Sequence, residues 1–322
     1  MTADAHAPAR MPAWLALSSA VLVGVLTAVQ ARANGQLGAR LDDGLVAAAI
    51  SFGSGLIILI VLSIALPAGR RGARRLAAGI RGRTLPWWML LGGAAGALSV
   101  ATQGLTVAII GVSLYTVGAV AGQTLNGLVL DRVGYGPSGV VAVTVPRVVG
   151  GALMLAAVFF SVGTGDVLAT IPWWMLVLPF VAGVGIAWQQ ATNGRLRRRV
   201  GTPLTATLVN FIGGTAILVV AAVVSVVVRG MPDSAPTDLW LYSGGALGVA
   251  YIMLSAAIVA HTGVLLLGLG AVTGQLVAAF VLDLLWPAAA SPGWLVELLT
   301  VIVALASVAV TAVPWGRRRR RS

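Results

Sequence analysis

The sequence predicts an all-α membrane protein with ten transmembrane helices, arranged as two inverted five-helix repeats. Three observations carry that expectation. Apolar stretches of about 20 residues, each long enough to cross about 30 Å of hydrocarbon as a helix, recur along the whole chain. The second half repeats the pattern of the first. Arginine is concentrated in alternate gaps between the apolar stretches. Composition agrees: 58% hydrophobic and 9% charged residues, with a mean hydropathy of +0.97, lie outside the range of a water-solvated domain of 322 residues.

Runs and breaks in hydropathy place spans at 13–33, 45–66, 86–108, 112–130, 138–162, 172–192, 203–228, 239–260, 263–283 and 293–313. Trp14, Trp87, Trp88, Trp173, Trp174, Trp240, Trp286, Trp294 and Trp315 fall at the ends of these spans, where an amphipathic ring sits at headgroup level. The segmentation leaves residues 1–11 as a tail, 12–162 as one repeat, 171–313 as the other, and 314–322 as an arginine-rich tail.

Orientation follows from arginine. With both termini in the cytoplasm, 17 of the 21 basic residues lie inside: Arg10, six from Arg70 to Arg83, Arg132, Arg195, Arg197, Arg198, Arg199, and Arg317 to Arg321. Arg32, Arg40 and Arg229 fall outside, and Arg147 falls within a span. Every basic residue is arginine, and Ala, Val and Gly abound, a coding bias that suggests a high-GC bacterial genome. The net charge of +12 lies in the gaps between spans, so it reads as topology and not as a nucleic-acid surface. With no cysteine, thiolate chemistry and disulfides are excluded; no cofactor or metal site is expected, and no P-loop is present.

The repeat can be followed residue by residue. At an offset of 159, Trp14, Gly24, Gln30, Asn34, Gly35, Leu37, Phe52 and Gly55 meet Trp173, Gly183, Gln189, Asn193, Gly194, Leu196, Phe211 and Gly214. After the arginine-rich loop shortens in the second copy, the offset becomes 152. Gly92, Gly93, Gly96, Gly111, Gly118, Gly122, Gln123 and Asp131 then meet Gly244, Gly245, Gly248, Gly263, Gly270, Gly274, Gln275 and Asp283. Five spans per copy is an odd number, so the second copy enters from the opposite side. The repeat also argues against reading Arg10, the apolar run and Ala31-Arg32-Ala33 as a cleaved signal, because residues 13–37 have a copy in mid-chain.

Four motifs carry a resemblance: G-x-x-x-x-x-Q-x-x-x-N-G-x-L from Gly24, S-F-x-x-G from Ser51, P-W-W-x-x-L-G-G-x-x-G from Pro86 and G-Q-x-x-x-G-L-x-L-D from Gly122. Together they resemble the YdcZ-like branch of the drug/metabolite transporter superfamily, in its fused two-repeat form. The resemblance implies an inner-membrane carrier in which spans 1, 3, 4, 6, 8 and 9 surround a central cavity while spans 5 and 10 lie outside. It names no substrate. Small multidrug-resistance relatives carry a glutamate in their first span, and residues 13–33 here contain none, which puts that route of proton coupling in doubt.

Side chains within the spans divide into groups. Gly92 and Gly96, Gly118 and Gly122, Gly244 and Gly248, and Gly270 and Gly274 are small-xxx-small pairs that let helix backbones approach. Polar groups in hydrocarbon need partners or a cavity. Gln103, Gln123, Asn126, Tyr251 and Gln275 are therefore candidates to line a substrate site, with cross-helix hydrogen bonding as the competing use. Gln30 and Asn34 share a helix face near one end of span 1, and Gln189 and Asn193 do so at the other membrane side, as opposite gates would; helix termination at Asn34-Gly35 and Asn193-Gly194 is the plainer reading. Asp131, Asp283 and Glu297 are the acids available for proton coupling, although the aspartates at span ends could equally cap helices. Arg147 could meet Glu297, but snorkelling or a homodimer contact suits a peripheral helix better. His261 is expected in a short loop.

The functional expectation is a secondary-active exporter of a small metabolite or drug, working by alternating access about a midplane cavity. An importer or facilitator is the nearest alternative. A scaffold or lipid-interacting subunit is another, with Arg317 to Arg321 on anionic lipid. A membrane-embedded enzyme fits poorly with two histidines, no cysteine and scattered acids.

Overall fold

The computed structural model describes residues 12–135, 140, 144–163, 171–288 and 293–312. Both tails, with Trp315 and Arg317 to Arg321, lie outside the described residues. Among the described residues the chain is helical with no strand: α1 Ala13–Leu41, α2 Gly44–Ala65, α3 Pro67–Arg81, α4 Gly92–Arg132, α5 Val145–Gly163, α6 Trp174–Val200, α7 Pro203–Arg229, α8 Gly244–Leu285 and α9 Trp294–Ala312. Short 3-10 turns, Trp87–Leu90 and Leu239–Ser243, lead into α4 and α8. The stretches Gly44–Ala65, Trp87–Arg132, Trp174–Val200 and Pro203–Arg229 are each long and apolar enough to cross a membrane.

Three local expectations are corrected. α1 and α6 run past Asn34 and Asn193 to Leu41 and Val200, where Asp42 (φ 49°) and Gly201 (φ 79°) turn left-handed. The asparagines therefore stand inside helices and do not end them; hydropathy marks where lipid stops, whereas a helix continues until its backbone is capped. Asp43 then opens α2, its carboxylate accepting the N–H groups of Leu45 and Val46 at 2.9 and 3.0 Å. The arginine-rich loop holds a helix, α3, begun by Pro67 at its first position. Residue 261, expected in a short loop, falls within the helical run α8, between residues 248 and 271, over which that run folds back.

The helical run α4 is folded at Gly111. Gly111 has φ 84° and ψ 164°, a backbone conformation open to glycine and costly for other residues. Ser99 and Tyr115, 16 residues apart, nevertheless touch through their hydroxyl oxygens at 3.2 Å. In a straight helix they would stand about 24 Å apart, so α4 doubles back as two arms, 92–110 and 112–132, matching the two spans expected there. The same reasoning applies to α8. Gly248 lies against the Gln30 amide, and the Ala271 carbonyl lies against Gly24. A straight helix would separate residues 248 and 271 by about 35 Å, whereas the six residues of α1 cover about 9 Å.

Packing exchanges equivalent parts of the two halves. α1 packs chiefly on α8 and α6 on α4, while α2 meets its equivalent α7, and α5 meets its equivalent α9. Phe52 and Phe211, equivalent residues, stack at 4.7 Å between ring centroids. The start of α2 is tied to the end of α7, because Ser225 donates to Asp43 at 2.5 Å; the start of α7 meets α3, where Gly72 lies against Thr202 and Thr205. Equivalent helices α2 and α7 are therefore antiparallel. Burial orders the layers: 83% of the apolar window in Trp87–Arg132 is covered by protein, against 28 to 33% for α2, α6 and α7. α4 forms the centre, while α2 and α7 turn Ile57, Ile64, Val220, Val227 and Val228 outward, as lipid-facing residues.

Candidate functional site

Two equivalent polar clusters lie at opposite ends of the helix assembly. In the first, Asn34 of α1 is fully buried and donates from Nδ2 to Gln103 Oε1 at 2.6 Å. One turn earlier, Gln30 donates from Nε2 to the Gly244 carbonyl of the other half at 2.8 Å. Glycine makes the room. A Cβ at Gly244 would collide with Asn34 Oδ1 and Ser51 Oγ, and one at Gly248 would stand 2.5 Å from Gln30 Nε2.

Behind this cluster, Asp283 is 2% exposed and accepts the backbone N–H groups of Val112 and Ser113 at 2.9 and 2.6 Å. The break at Gly111 leaves those N–H groups without helical carbonyls, so a carboxylate from the end of α8 caps the second arm of α4. Arg32 Nη1 stands 3.9 Å from the same carboxylate and is itself buried. Of the two uses open to Asp283, the geometry displays capping. Arg32, expected among the outside arginines, is buried on α1 beside this carboxylate as its counter-charge.

The second cluster keeps the residue types but not the bonds. Gln189 and Asn193 of α6 are half-buried, with Gln189 Nε2 against Gly96 and Asn193 Oδ1 against Gly92. Asn193 Oδ1 and Asn210 Nδ2 are buried atoms with no hydrogen-bond partner among the described residues. The position equivalent to Gln103 is Ser255, whose hydroxyl donates to Tyr251 O within its own helix at 2.7 Å. Asp131, the equivalent of Asp283, accepts from Arg147 at 2.8 Å. That pair corrects the suggested meeting of Arg147 with Glu297, because Arg147 stands in the first turn of α5, beside the end of α4. Glu297 is buried in the first turn of α9. At the rim, Arg195 lies 4.5 Å over the Tyr135 ring and 5.8 Å from Trp88, and Tyr135 shares a hydrogen bond with Thr192 at 3.0 Å.

The remaining candidates fall between the clusters. Gln123 is half-buried; Asn126 donates to the Val184 carbonyl of α6 at 2.7 Å, a cross-helix bond; Gln275 is 8% exposed, its backbone N–H close beside Gly24. Tyr251 is half-buried and packs with Ala20 and Val23 of α1. Surface grooves lie beside Leu128 and Arg132 and between α2, α3 and α7, and none of Gln103, Gln123, Asn126, Tyr251 or Gln275 lines either of these. The glycine pairs divide by use. Gly118, Gly122, Gly270 and Gly274 abut α6 or α1, with Gly122 and Gly274 against backbone carbonyls, while Gly92, Gly96, Gly244 and Gly248 face amide side chains.

Residue-type reasoning missed Tyr115, Asn210 and the Asp43–Ser225 link. Asn210 was legible, being an amide inside an otherwise apolar run and the equivalent of Ser51. Tyr115 was not, since its partner Ser99 becomes a neighbour only once α4 folds back.

A family model described as "Putative inner membrane exporter, YdcZ" matches the chain twice, over residues 15–160 and 167–310. No curated protein matches the chain.

Proposed function

Because the chain belongs to the YdcZ family of inner membrane exporters, we propose that it is a secondary-active carrier and not an enzyme, exporting a small metabolite or drug by rocking one half against the other. The observation that carries this reading is the unequal bonding of two equivalent clusters. The amide nitrogens of Asn34 and Gln30 are hydrogen-bonded to Gln103 and Gly244, whereas the Gln189 and Asn193 side chains make no hydrogen bond among the described residues. Asn34 Oδ1 and Ser51 Oγ, like Asn193 Oδ1 and Asn210 Nδ2, have no partner there, so the difference lies in the amide donors. Antiparallel halves with one side bonded and the other unbonded are what one state of an alternating-access cycle requires.

In this reading Gln30 and Asn34 gate one side and Gln189 and Asn193 the other. Gln103 belongs to the first gate, and Gln123, Tyr251 and Gln275 face the path between them, with Asn126 holding α4 to α6. Ten spans with both termini cytoplasmic put the Asn34 cluster outside and the arginines of α3 inside. The state is then closed to the outside. Asp131, Asp283 and Glu297 are the carboxylates through which a proton gradient would act.

The cysteine-free sequence permits a direct test. Single variants Gln30→Cys and Gln189→Cys, in oriented vesicles with an impermeant maleimide, are expected to react from opposite sides, with Gln189→Cys reacting faster in the unliganded protein. A metabolite that raises the melting temperature of the purified chain should invert that preference and be moved across proteoliposomes. Labelling of both positions from one side, or stabilising metabolites that show no flux, would remove the carrier reading in favour of a scaffold.

A further inference from the structure

A second site lies away from the path, at the elbow where α2 gives way to α3. α2 ends at Ala65, Leu66 is extended (φ −90°, ψ 135°), and α3 starts at Pro67. α3 is held close because two of its glycines replace side chains that would not fit. A Cβ on Gly69 would lie 2.5 Å from Ser63 Cα, and one on Gly72 would overlap Thr202 and Thr205. Leu76 anchors the far side on the apolar cluster that contains Val209. With its apolar side held in this way, α3 has the form of an interfacial helix.

Charge on this helix is unbalanced. α3 carries Arg70, Arg71, Arg74, Arg75 and Arg81, and it packs on α2, α6 and α7. None of these four helices contains an aspartate or glutamate. Arg70 is steered by α2, donating from Nη1 to the Ile64 carbonyl at 2.8 Å, which aims its guanidinium at the elbow. Arg74, one turn on, has no hydrogen-bond or ion-pair partner among the described residues. Among the described residues, the helices packed on α3 supply it no countercharge.

Between these arginines and α7 runs a groove of about 420 Å³, lined by Ile60, Ser63, Ile64, Arg70, Arg74 and Leu208 among others. Ser63 is 7% exposed, and its buried hydroxyl lacks a hydrogen-bond partner. An unpaired buried hydroxyl in a groove flanked by guanidinium groups is a donor that an external anionic group can use. Away from the arginines, the groove passes onto the exposed face of Ile57, Ile60, Val61 and Ile64. A charged end that continues into an apolar strip matches an amphiphile and not a small hydrophilic anion.

We propose that the α2–α3 elbow binds an anionic phospholipid, its phosphate on Arg70 and Arg74 with Ser63 at the floor, and its acyl chains along α2 beside Leu208 of α7. Guanidinium groups suit this ligand because they hold phosphate oxygens through paired N–H donors. The site is independent of the carrier reading, since it needs only membrane embedding and would persist in a protein that moved no solute.

The test uses the purified full-length chain, delipidated in detergent, with dioleoyl phosphatidylglycerol, dioleoyl phosphatidylcholine and inorganic phosphate as probes, read by native mass spectrometry and melting temperature. Phosphatidylglycerol is expected to bind about tenfold more tightly than phosphatidylcholine and to raise the melting temperature, while phosphate up to millimolar concentration does neither. Arg70→Gln with Arg74→Gln should abolish that preference, and Arg74→Gln alone, a change at an exposed, partner-free side chain, should reduce it about threefold. Arg81→Gln with Arg83→Gln removes the same charge from the other end of α3 and should leave it intact. Equal binding of the two lipids by the unmodified chain, protection by phosphate equal to that by phosphatidylglycerol, or equal losses in both double variants would overturn the proposal.

Discussion

The two ends of the helix assembly are built from equivalent residues, yet only one is closed by buried hydrogen bonds. Asn34, Gln30, Gln103, Gly244 and Asp283 join α1, α4 and α8 at one end. At the other, Asn193, Gln189, Ser255, Gly92 and Asp131 occupy equivalent positions; Ser255 bonds within its own helix and Asp131 takes an arginine from α5. At its rim Arg195 stacks on Tyr135 and Trp88. A duplicated scaffold thus supplies two sets of similar groups, and a few substitutions decide which set is bonded. Ser255 in place of a glutamine, and Ala191 in place of an arginine equivalent to Arg32, are two that separate the ends.

The sharpest way to break this comparison is to remove the two equivalent aspartates separately. Asp283→Ala strips the cap from Val112 and Ser113 and leaves Arg32 buried without its counter-charge, so a loss of about 3–5 kcal/mol is expected. Asp131→Ala breaks a pair that is a fifth to a third exposed, and should cost about 1 kcal/mol or less. Thermal melts of the two variants in one detergent read the difference, and equal losses would deny that only one aspartate serves as a structural cap.

The asparagines come next. Asn34→Ala removes the donor to Gln103 Oε1 inside a fully buried site and should cost about 1 kcal/mol. Asn193→Ala removes an oxygen that bonds to nothing among the described residues, so its melting temperature should stay within about 1 °C of the parent. Its effect should appear in solute flux instead.

A smaller effect comes from adding the missing partner. Ser255→Gln places at the position equivalent to Gln103 the same residue type, on a helix that does not touch α6 among the described residues. A bond to Asn193 made by closing that gap should stabilise the chain by about 0.6 kcal/mol while slowing flux. Unchanged melting and unchanged flux would show that Ser255 does not distinguish the ends. Asn126→Ala, which gives up one bond to the Val184 carbonyl, should lower stability by a similar or smaller amount, about 0.6 kcal/mol at most. A larger loss would mean that α4 and α6 rely on that bond more than on their glycine contacts.

Hydropathy and self-similarity sufficed to read helices and repeats from the chain alone, and four motifs carried the resemblance to the family. Lipid permits few solutions for a backbone, so the length and spacing of apolar runs carry most of the information. The glycine positions were legible for the same reason: Gly24, Gly122, Gly183 and Gly274 recur at fixed offsets, and each abuts a backbone carbonyl of another helix. What the sequence could not decide is who meets whom. That Asp283 caps α4, that Arg147 pairs with Asp131, that Tyr115 reaches back to Ser99 and that α3 lies across the end of α2 all depend on where helices fold back and cross. A polar residue in an apolar run announces that it needs a partner. The partner can be more than a hundred residues away, and only the tertiary packing selects it.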